Sequence, residues 1–342
     1  MGSEFESPQL DNPGHLSNWL PFGAVTLTAG RQALRLVALE LAASEVRELV
    51  FADHYCDSMI DPFKGQGLTA IPVRTAHDTL FEPHSLAEEL EHRPNAAILF
   101  SETFGSTASS PLVGVLDAAR ATGHAVIVDR THSLFAQSSY RGDYQIASLR
   151  KLLPLSDGAF VTGLTRRPTL ASFDPASLFV STRTQAAREK LDYLEGKSDD
   201  RSYLEMFRFA EVSLEQLPDS TPMSVSGLAT LDQLDPHRIT SARRANAEFL
   251  ARRMEDLGVL VVNSLGWRTS PSYLVISTPD VASLRQYLSS RGIFCPIHWP
   301  VPRGRSGSTS WRSDLLSLVI DQRYDLDDMH RQAAAVAAYL GR

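Results

Sequence analysis

Cysteine and lysine are both scarce in this chain: of 342 residues, two are cysteine and four are lysine. Cys56 and Cys295 lie far apart in apolar contexts, which excludes a disulfide framework and fits buried thiols of a reducing cytoplasm. No apolar run reaches the ~20 residues that a bilayer-spanning helix needs, and no basic-then-apolar signal opens the chain. The expectation is therefore a soluble cytoplasmic protein with no membrane role. Net positive charge is also lacking. The formal balance of −7 gives no general attraction for phosphate backbones, so nucleic acid is not an expected partner. Neither a repeat of fixed period nor a long low-complexity segment is present. What is present is a 43% hydrophobic chain, long enough for two domains at ~100–200 residues each.

The opening Gly2-Ser3-Glu4-Phe5 resembles translated cloning sites, and no periodic pattern starts before Gly14, so residues 1–14 are set outside the fold as tag-like or disordered. From Ala24 strand-like and helix-like pieces alternate, the pattern of a mostly parallel sheet covered by helices. Helical spacing covers 30–44, and 48–52 reads as a short buried strand. A βαβ unit spans 96–129: strand 96–100, helix 112–122 ended by Gly123, and strand 125–129. A further strand is expected at 158–163, then a charged helical crossover at 175–217 whose lysines, Lys190 and Lys197, read as solvated. Beyond Asp235 the order becomes a long helix at 239–257, strands at 259–262 and 273–277, a helix at 281–291, a strand into Cys295-Pro296, and a terminal helix at 326–340. The fold class expected is α/β, with a large domain at 15–225 and a smaller C-terminal α+β domain at 226–342.

Ligands of open α/β sheets bind beyond the carboxyl ends of the strands. After the two strands of the βαβ unit stand Ser101-Glu102-Thr103-Phe104 and Asp129, with His132 close behind. A carboxylate ending an apolar strand needs a hydrogen-bonding or cationic partner. A helix cap or an ion pair to Arg130 would satisfy it, as would a ligand. Lys64 sits in a Gly-rich loop. Lys151 lies between Ser148-Leu149-Arg150 and Leu152-Leu153-Pro154, an apolar setting expected to desolvate the amine toward nucleophilic use; the alternative is a surface pair with Arg150.

Together, Val126-Ile127-Val128-Asp129-Arg130-Thr131-His132, then Ser148-Leu149-Arg150-Lys151, then Ser156-Asp157-Gly158-Ala159-Phe160 resemble the core of the fold-type I pyridoxal-phosphate (PLP) enzymes, and more closely the DegT/StrS sugar-aminotransferase-like family. Further likeness lies in Thr28-Ala29-Gly30-Arg31-Gln32, His54-Tyr55-Cys56, Glu102-Thr103-Phe104-Gly105, and two C-terminal stretches, 292–300 and 316–324, so that it runs in order from residue 21 to 342. The resemblance implies a homodimeric, PLP-dependent aminotransferase acting on a small amine or amino acid and a carbonyl acceptor. Lys151 would form the Schiff base and move the proton, Asp129 would keep the pyridine nitrogen protonated, and His132 would orient Asp129 or touch the ring's oxygen side. Tyr55, or else His54, would stack on the ring. Gly30, Arg31, Gln32 and Ser148 would hold the phosphate at a helix N-terminus. Met206, Phe207, Phe209 and Met223 are the residues expected to line a subunit interface, or else to pack in the core.

Two departures set the chain apart from sugar-processing members: Gly158-Ala159 replaces a pair of glycines, and His132 stands where those carry Gln. Both leave the cofactor untouched and bear on the substrate. The same residues also serve elimination, decarboxylation, racemisation or cyclisation, and a non-catalytic binding protein on this fold is the remaining alternative. Gly65-Gln66-Gly67-Leu68-Thr69-Ala70 matches a dinucleotide fingerprint, but Pro62 and Pro72 bracket it and exclude the required helix start. Cys295-x-x-His298 has metal-like spacing without a second pair, so no metal is expected. Arg268 and the Pro302-Arg303-Gly304-Arg305 loop are candidates for holding a substrate carboxylate.

Overall fold

The computed structural model describes residues 1–8, 14–137, 139–172, 177–266, 268–301 and 310–341. Its elements are β1 (Val25–Leu27), α1 (Gly30–Ala43), β2 (Glu48–Ala52), α2 (Asp57–Lys64), β3 (Thr69–Val73), α3 (Pro83–Glu91), β4 (Ala97–Ser101), α4 (Ser110–Ala121), β5 (Val126–Asp129), β6 (Tyr144–Ser148), β7 (Ala159–Thr162), α5 (Leu178–Leu194), α6 (Tyr203–Ser213), α7 (Val225–Gln233), α8 (Pro236–Asp256), β8 (Leu274–Ser277), α9 (Val281–Ser289), β9 (Leu315–Leu318) and α10 (Leu326–Tyr339). Seven strands form a mostly parallel sheet in the order β1-β7-β6-β5-β4-β2-β3, and β8 and β9 form an antiparallel pair. This is the expected α/β class.

The expected βαβ unit is present: β4 and β5 run parallel, with Ile98 opposite Val126 and Ser101 opposite Asp129. Val50, Ile98, Phe100, Val126 and Val128 bury one face of these strands against Leu86, Leu112 and Leu116 of α3 and α4. Each such side chain contributes about 1.5–3 kcal/mol by leaving water. Helix starts are satisfied locally: Glu82 accepts from the backbone N–H groups of His84 and Ser85, and Asp325 from those of Asp327 and Asp328. Gly65–Ala70 carries the chain from α2 into β3, and Pro72 is tolerated because β3 ends the sheet.

Four expectations change. The predicted strand at 259–262 is reduced to a single bridge, Val261 to Ile276, and β9 rather than a strand into Cys295-Pro296 pairs with β8. Lys190 is not solvated: it is buried in α5, where Glu6 meets its Nζ at 3.0 Å, while Lys197 is exposed as expected. The segment set aside at the start makes defined contacts, with Gly2 N–H donating to the Tyr324 hydroxyl at 2.8 Å and Ser7 N–H to the Ala187 carbonyl at 3.0 Å. Phe207 and Met223 are core residues, whereas Phe209 is exposed and Met206 half-buried.

The chain divides into two compact units. One comprises Met1–Ser3, Leu41–Gln145 and His237–Arg342, the other Glu4–Glu40 and Ile146–Pro236. In the first, Leu250, Met254, Leu274, Ile276, Leu284, Leu316 and Met329 form a core around β8 and β9. In the second, Phe179 and Val180 of α5 pack with Ala29, Ala210 and Leu214.

Candidate active site

The residues singled out by sequence fall into two sets, one on each unit. In the first unit Asp129 ends β5 with its side chain buried, and Oδ1 accepts from Thr131 N–H at 2.8 Å. This local bond turns the chain sharply after the strand, and His132 follows, also buried. His132 Nδ1 accepts from Phe104 N–H at 3.2 Å, which puts the proton of the neutral ring on Nε2. The imidazole lies nearly parallel to the Phe104 ring (centroids 5.8 Å, 20° between planes) and to the Trp299 ring (5.9 Å, 13°). His298 and Tyr273 meet it edge-on at 5.5 and 6.2 Å.

The turn after β4 sets this geometry. Phe104 takes φ +59°, and at Gly105 (φ +88°) a Cβ would come within 2.6 Å of the Ser270 carbonyl oxygen and Pro271 Cα. Glu102, fully buried, anchors the following loop: it accepts from the Ser133 hydroxyl, from the Ser139 hydroxyl at 2.8 Å and from Tyr140 N–H at 3.0 Å. Burial pushes its carboxyl above the usual range despite those bonds and the nearby Arg130 charge. Arg130 spends its guanidinium on the Leu134 and Ala136 carbonyls and Gln145.

Tyr55 and His54 follow β2. Tyr55 is half-exposed and meets Phe51 and Trp311 edge-on at 4.7 and 5.9 Å. His54 is buried beneath Trp311, with ring centroids 4.7 Å apart. Its Nε2 bonds the His298 carbonyl at 2.9 Å, and its Nδ1 is buried without a hydrogen-bond partner among the described residues. Burial lowers its pKa to about 4, so the ring is neutral at pH 7.

In the second unit, α1 begins at Gly30, and the reason for glycine is visible. A Cβ there would sit 3.0 Å from Ser148 Cβ and 3.6 Å from its hydroxyl. The N-terminal turn of α1 is therefore pressed against the end of β6, with the Ser148 hydroxyl beside a positive helix end. Gln32 braces this turn: its side-chain oxygen accepts from Ala29 N–H at 3.0 Å, and its amide nitrogen donates to the Pro218 carbonyl at 2.7 Å. Arg31 pairs with Glu215. Lys151 closes a short 3-10 turn, 149–151, that follows Ser148. Contrary to expectation its side chain is exposed; Leu149, Leu152 and Leu153 take the buried positions, because three residues per turn put 149 and 152 on the same inward face and 151 on another. Arg150 is not its surface partner but binds Glu211 through two bonds of 2.8 and 3.0 Å.

Sequence reasoning passed over several buried charges, among them Asp157 and Arg243. Asp157 accepts from Ser224 N–H at 2.6 Å and from its hydroxyl at 2.7 Å, and Gly227 allows that approach. Arg243 of α8 is wholly buried and donates to Gln322 and to the Ser272 carbonyl. Mid-helix position in an Arg-rich segment hid the latter. Lys64 ends α2 exposed, and Arg268 is exposed. The Pro302-Arg303-Gly304-Arg305 loop lies outside the described residues. Cys295 is buried, its thiol pushed up to about 12, and His298 Nδ1 bonds Ser317. Among the described residues no group of three or more His, Cys, Asp or Glu could hold a metal.

No family profile matches the chain, and no curated protein matches it. Solved structures do. A DegT/DnrJ/EryC1/StrS aminotransferase from Brucella abortus superposes with a TM-score of 0.63 at 14% identity, over 93% of this chain and 86% of that one. DesV of S. venezuelae, solved with a ketimine intermediate, gives 0.66 at 18% identity, over 97% and 91%. A Streptococcus pneumoniae protein named as a sugar aminotransferase, in its PLP form, gives 0.66 at 14%, over 95% and 90%. The chain thus has the fold of these aminotransferases, and the fold-type I expectation holds.

Proposed function

We propose that this chain is a PLP-dependent aminotransferase that moves an amino group between a small amine or amino acid and a carbonyl acceptor. What carries the reading is a lysine in the turn directly after β6, in a fold shared over most of its length with PLP aminotransferases. The residues fit the cofactor: the close contact of Gly30 with Ser148 sets the first turn of α1 beside a hydroxyl, a setting suited to a phosphate, and Asp129 is a buried carboxylate suited to a pyridinium.

When bound, PLP supplies the electron sink that acidifies a substrate Cα–H. The chain's own residues do the rest. Lys151 would supply the amine that holds the cofactor and would carry the proton as base and acid. Asp129 keeps a positive charge on the ring nitrogen. His132, whose Nδ1 accepts from Phe104 N–H, would use Nε2 to orient Asp129 or to meet the ring's oxygen side. The Gly30 and Arg31 amides and the Ser148 hydroxyl would hold the phosphate, with Gln32 bracing the turn, and Tyr55 would pack on the ring. Residues 15–225 form the cofactor-binding domain and 226–342 the small domain of a cytoplasmic homodimer.

The test is the visible spectrum of the protein after loading with PLP and removal of the excess, before and after borohydride, beside Lys151→Ala. Wild type is expected to absorb in the visible and to trap the cofactor on Lys151, while the variant traps none. A colourless wild type with no adduct would overturn the assignment. Amino donor alone should convert the wild-type cofactor to the pyridoxamine form; a lyase would not accumulate it.

A further inference from the structure

Arg183 of α5 is 3% exposed, and Arg150 has 9% of its side chain exposed. These two cations share one carboxylate. Glu211 of α6 accepts from both terminal nitrogens of Arg150 and from Arg183 Nη1 at 2.8 Å. Aromatic faces frame them: both guanidiniums lie over Phe179, at 5.6 and 5.9 Å, and Arg183 also over Phe207, at 5.2 Å. The Nε atoms of both arginines are buried without a hydrogen-bond partner among the described residues. Two guanidiniums against one carboxylate leave a positive charge unbalanced out of water, an arrangement that is costly until an anion completes it.

The anion that completes it is Glu4, whose Oε2 accepts from Arg183 Nη2 at 2.8 Å. Partial burial would raise this carboxyl's pKa, but the charges of Arg183, Arg150 and Lys151 outweigh burial and hold it below the usual range. Lys151 directly follows Arg150 in the turn after β6, which puts the amine next to this cluster. Glu6, paired with Lys190, moors the segment alongside. The cations belong to elements of the α/β fold, whereas Glu4 lies in a stretch that contributes nothing to the strand and helix pattern.

We propose that Arg183, backed by Arg150, is a subsite for the anionic group, a carboxylate or a phosphate, of the molecule on which Lys151 acts, and that Glu4 occupies it as a stand-in. This rests on Lys151 being the reactive amine. A planar guanidinium held by ring faces and by Glu211 recognises either anion through its remaining N–H groups without rearranging.

Isothermal titration calorimetry on the full chain without cofactor tests it, with inorganic phosphate, pyrophosphate and glutarate as probes. Glu4→Gln combined with Glu6→Gln is expected to bind one of these anions at least tenfold more tightly than wild type. Adding Arg183→Gln should remove the gain, and Arg183→Lys should keep part of it, with far-ultraviolet circular dichroism checking each fold. A gain for glutarate alone assigns the subsite to a carboxylate, and a gain for the phosphates alone to a phosphate-bearing substrate. Equal affinity in wild type and all variants would overturn the proposal, leaving Glu4 as a structural ion pair only. A gain that vanishes once PLP is loaded would overturn it too, since the site would then be the cofactor's own. The enzyme reading fails separately, on a wild type that traps no cofactor with borohydride whatever its anion affinity; Lys151→Ala, which should abolish trapping, is expected to leave anion affinity within about threefold.

Discussion

His54 is neutral because its ring is buried among Phe104, Trp299 and Trp311, with a pKa lowered to about 4 from an ordinary 6.5. The unfolded chain therefore takes up the proton first as pH falls. The stabilisation is full above the unfolded value and is lost on descending through 6.5 toward 4, with about 2 kcal/mol of the loss between pH 7 and pH 5. Glu102 and Asp157 act with the opposite sign, since their raised values cost stability as pH rises through them. Asp314, held at about 2 by the Arg312 guanidinium, loses its contribution only below the ordinary carboxylate range. Comparing wild type with His54→Gln cancels the carboxyl contributions: urea unfolding at both pH values should show the variant losing about 2 kcal/mol less between pH 7 and pH 5. Glu102→Ala is expected to cost about 2–4 kcal/mol in the same measurement, because it strands the Ser133 and Ser139 hydroxyls and Tyr140 N–H in the interior.

At the scale of elements, the start of α1 and the end of β6 form the cradle proposed for phosphate. Gly30→Ala puts a methyl 3.0 Å from Ser148 Cβ, a contact relieved only by a shift of a few tenths of an ångström between the start of α1 and the end of β6, which displaces the hydroxyl with it. The expected outcome is a PLP affinity at least tenfold weaker with a stability change under about 1 kcal/mol, read by spectral titration and urea unfolding. Equal affinity would place the phosphate elsewhere. Most of these elements were legible from the chain. The βαβ unit at 96–129 shows because β4 and β5 are continuous apolar runs and α4 carries an apolar stripe. The partner of β8 was not legible: a strand was expected into Cys295-Pro296 and none at β9, two short apolar segments that look alike in sequence and that only tertiary pairing distinguishes.

For the whole molecule, the proposed function entails a dimer and a cofactor-linked gain in stability. Sedimentation equilibrium is expected to give twice the 37.6 kDa chain mass. Phe209 and Val212 on α6, exposed at 52% and 65%, are apolar surface available to that interface, and Phe209→Glu should shift the equilibrium toward monomer if they serve it. Saturation at 100 times Kd should add about 2.7 kcal/mol to unfolding, visible as a rise in Tm that Lys151→Ala reduces.

Periodicity and strand-end chemistry sufficed to identify the α/β class, the βαβ unit and the long helices, and Asp129, His132 and Lys151 as residues of interest, because each depends on neighbours within a few positions; α2, β3, α3, β6 and β9 were not foreseen. The chain's order could not reveal that Lys190 is buried and Lys151 exposed, that Gln32 braces a turn, or that Arg183, Arg150 and Glu4 converge. Burial and charge compensation depend on which distant segments share a small volume, and residues 4, 150, 183 and 211 are brought together only where the opening segment and the turn after β6 meet α5 and α6.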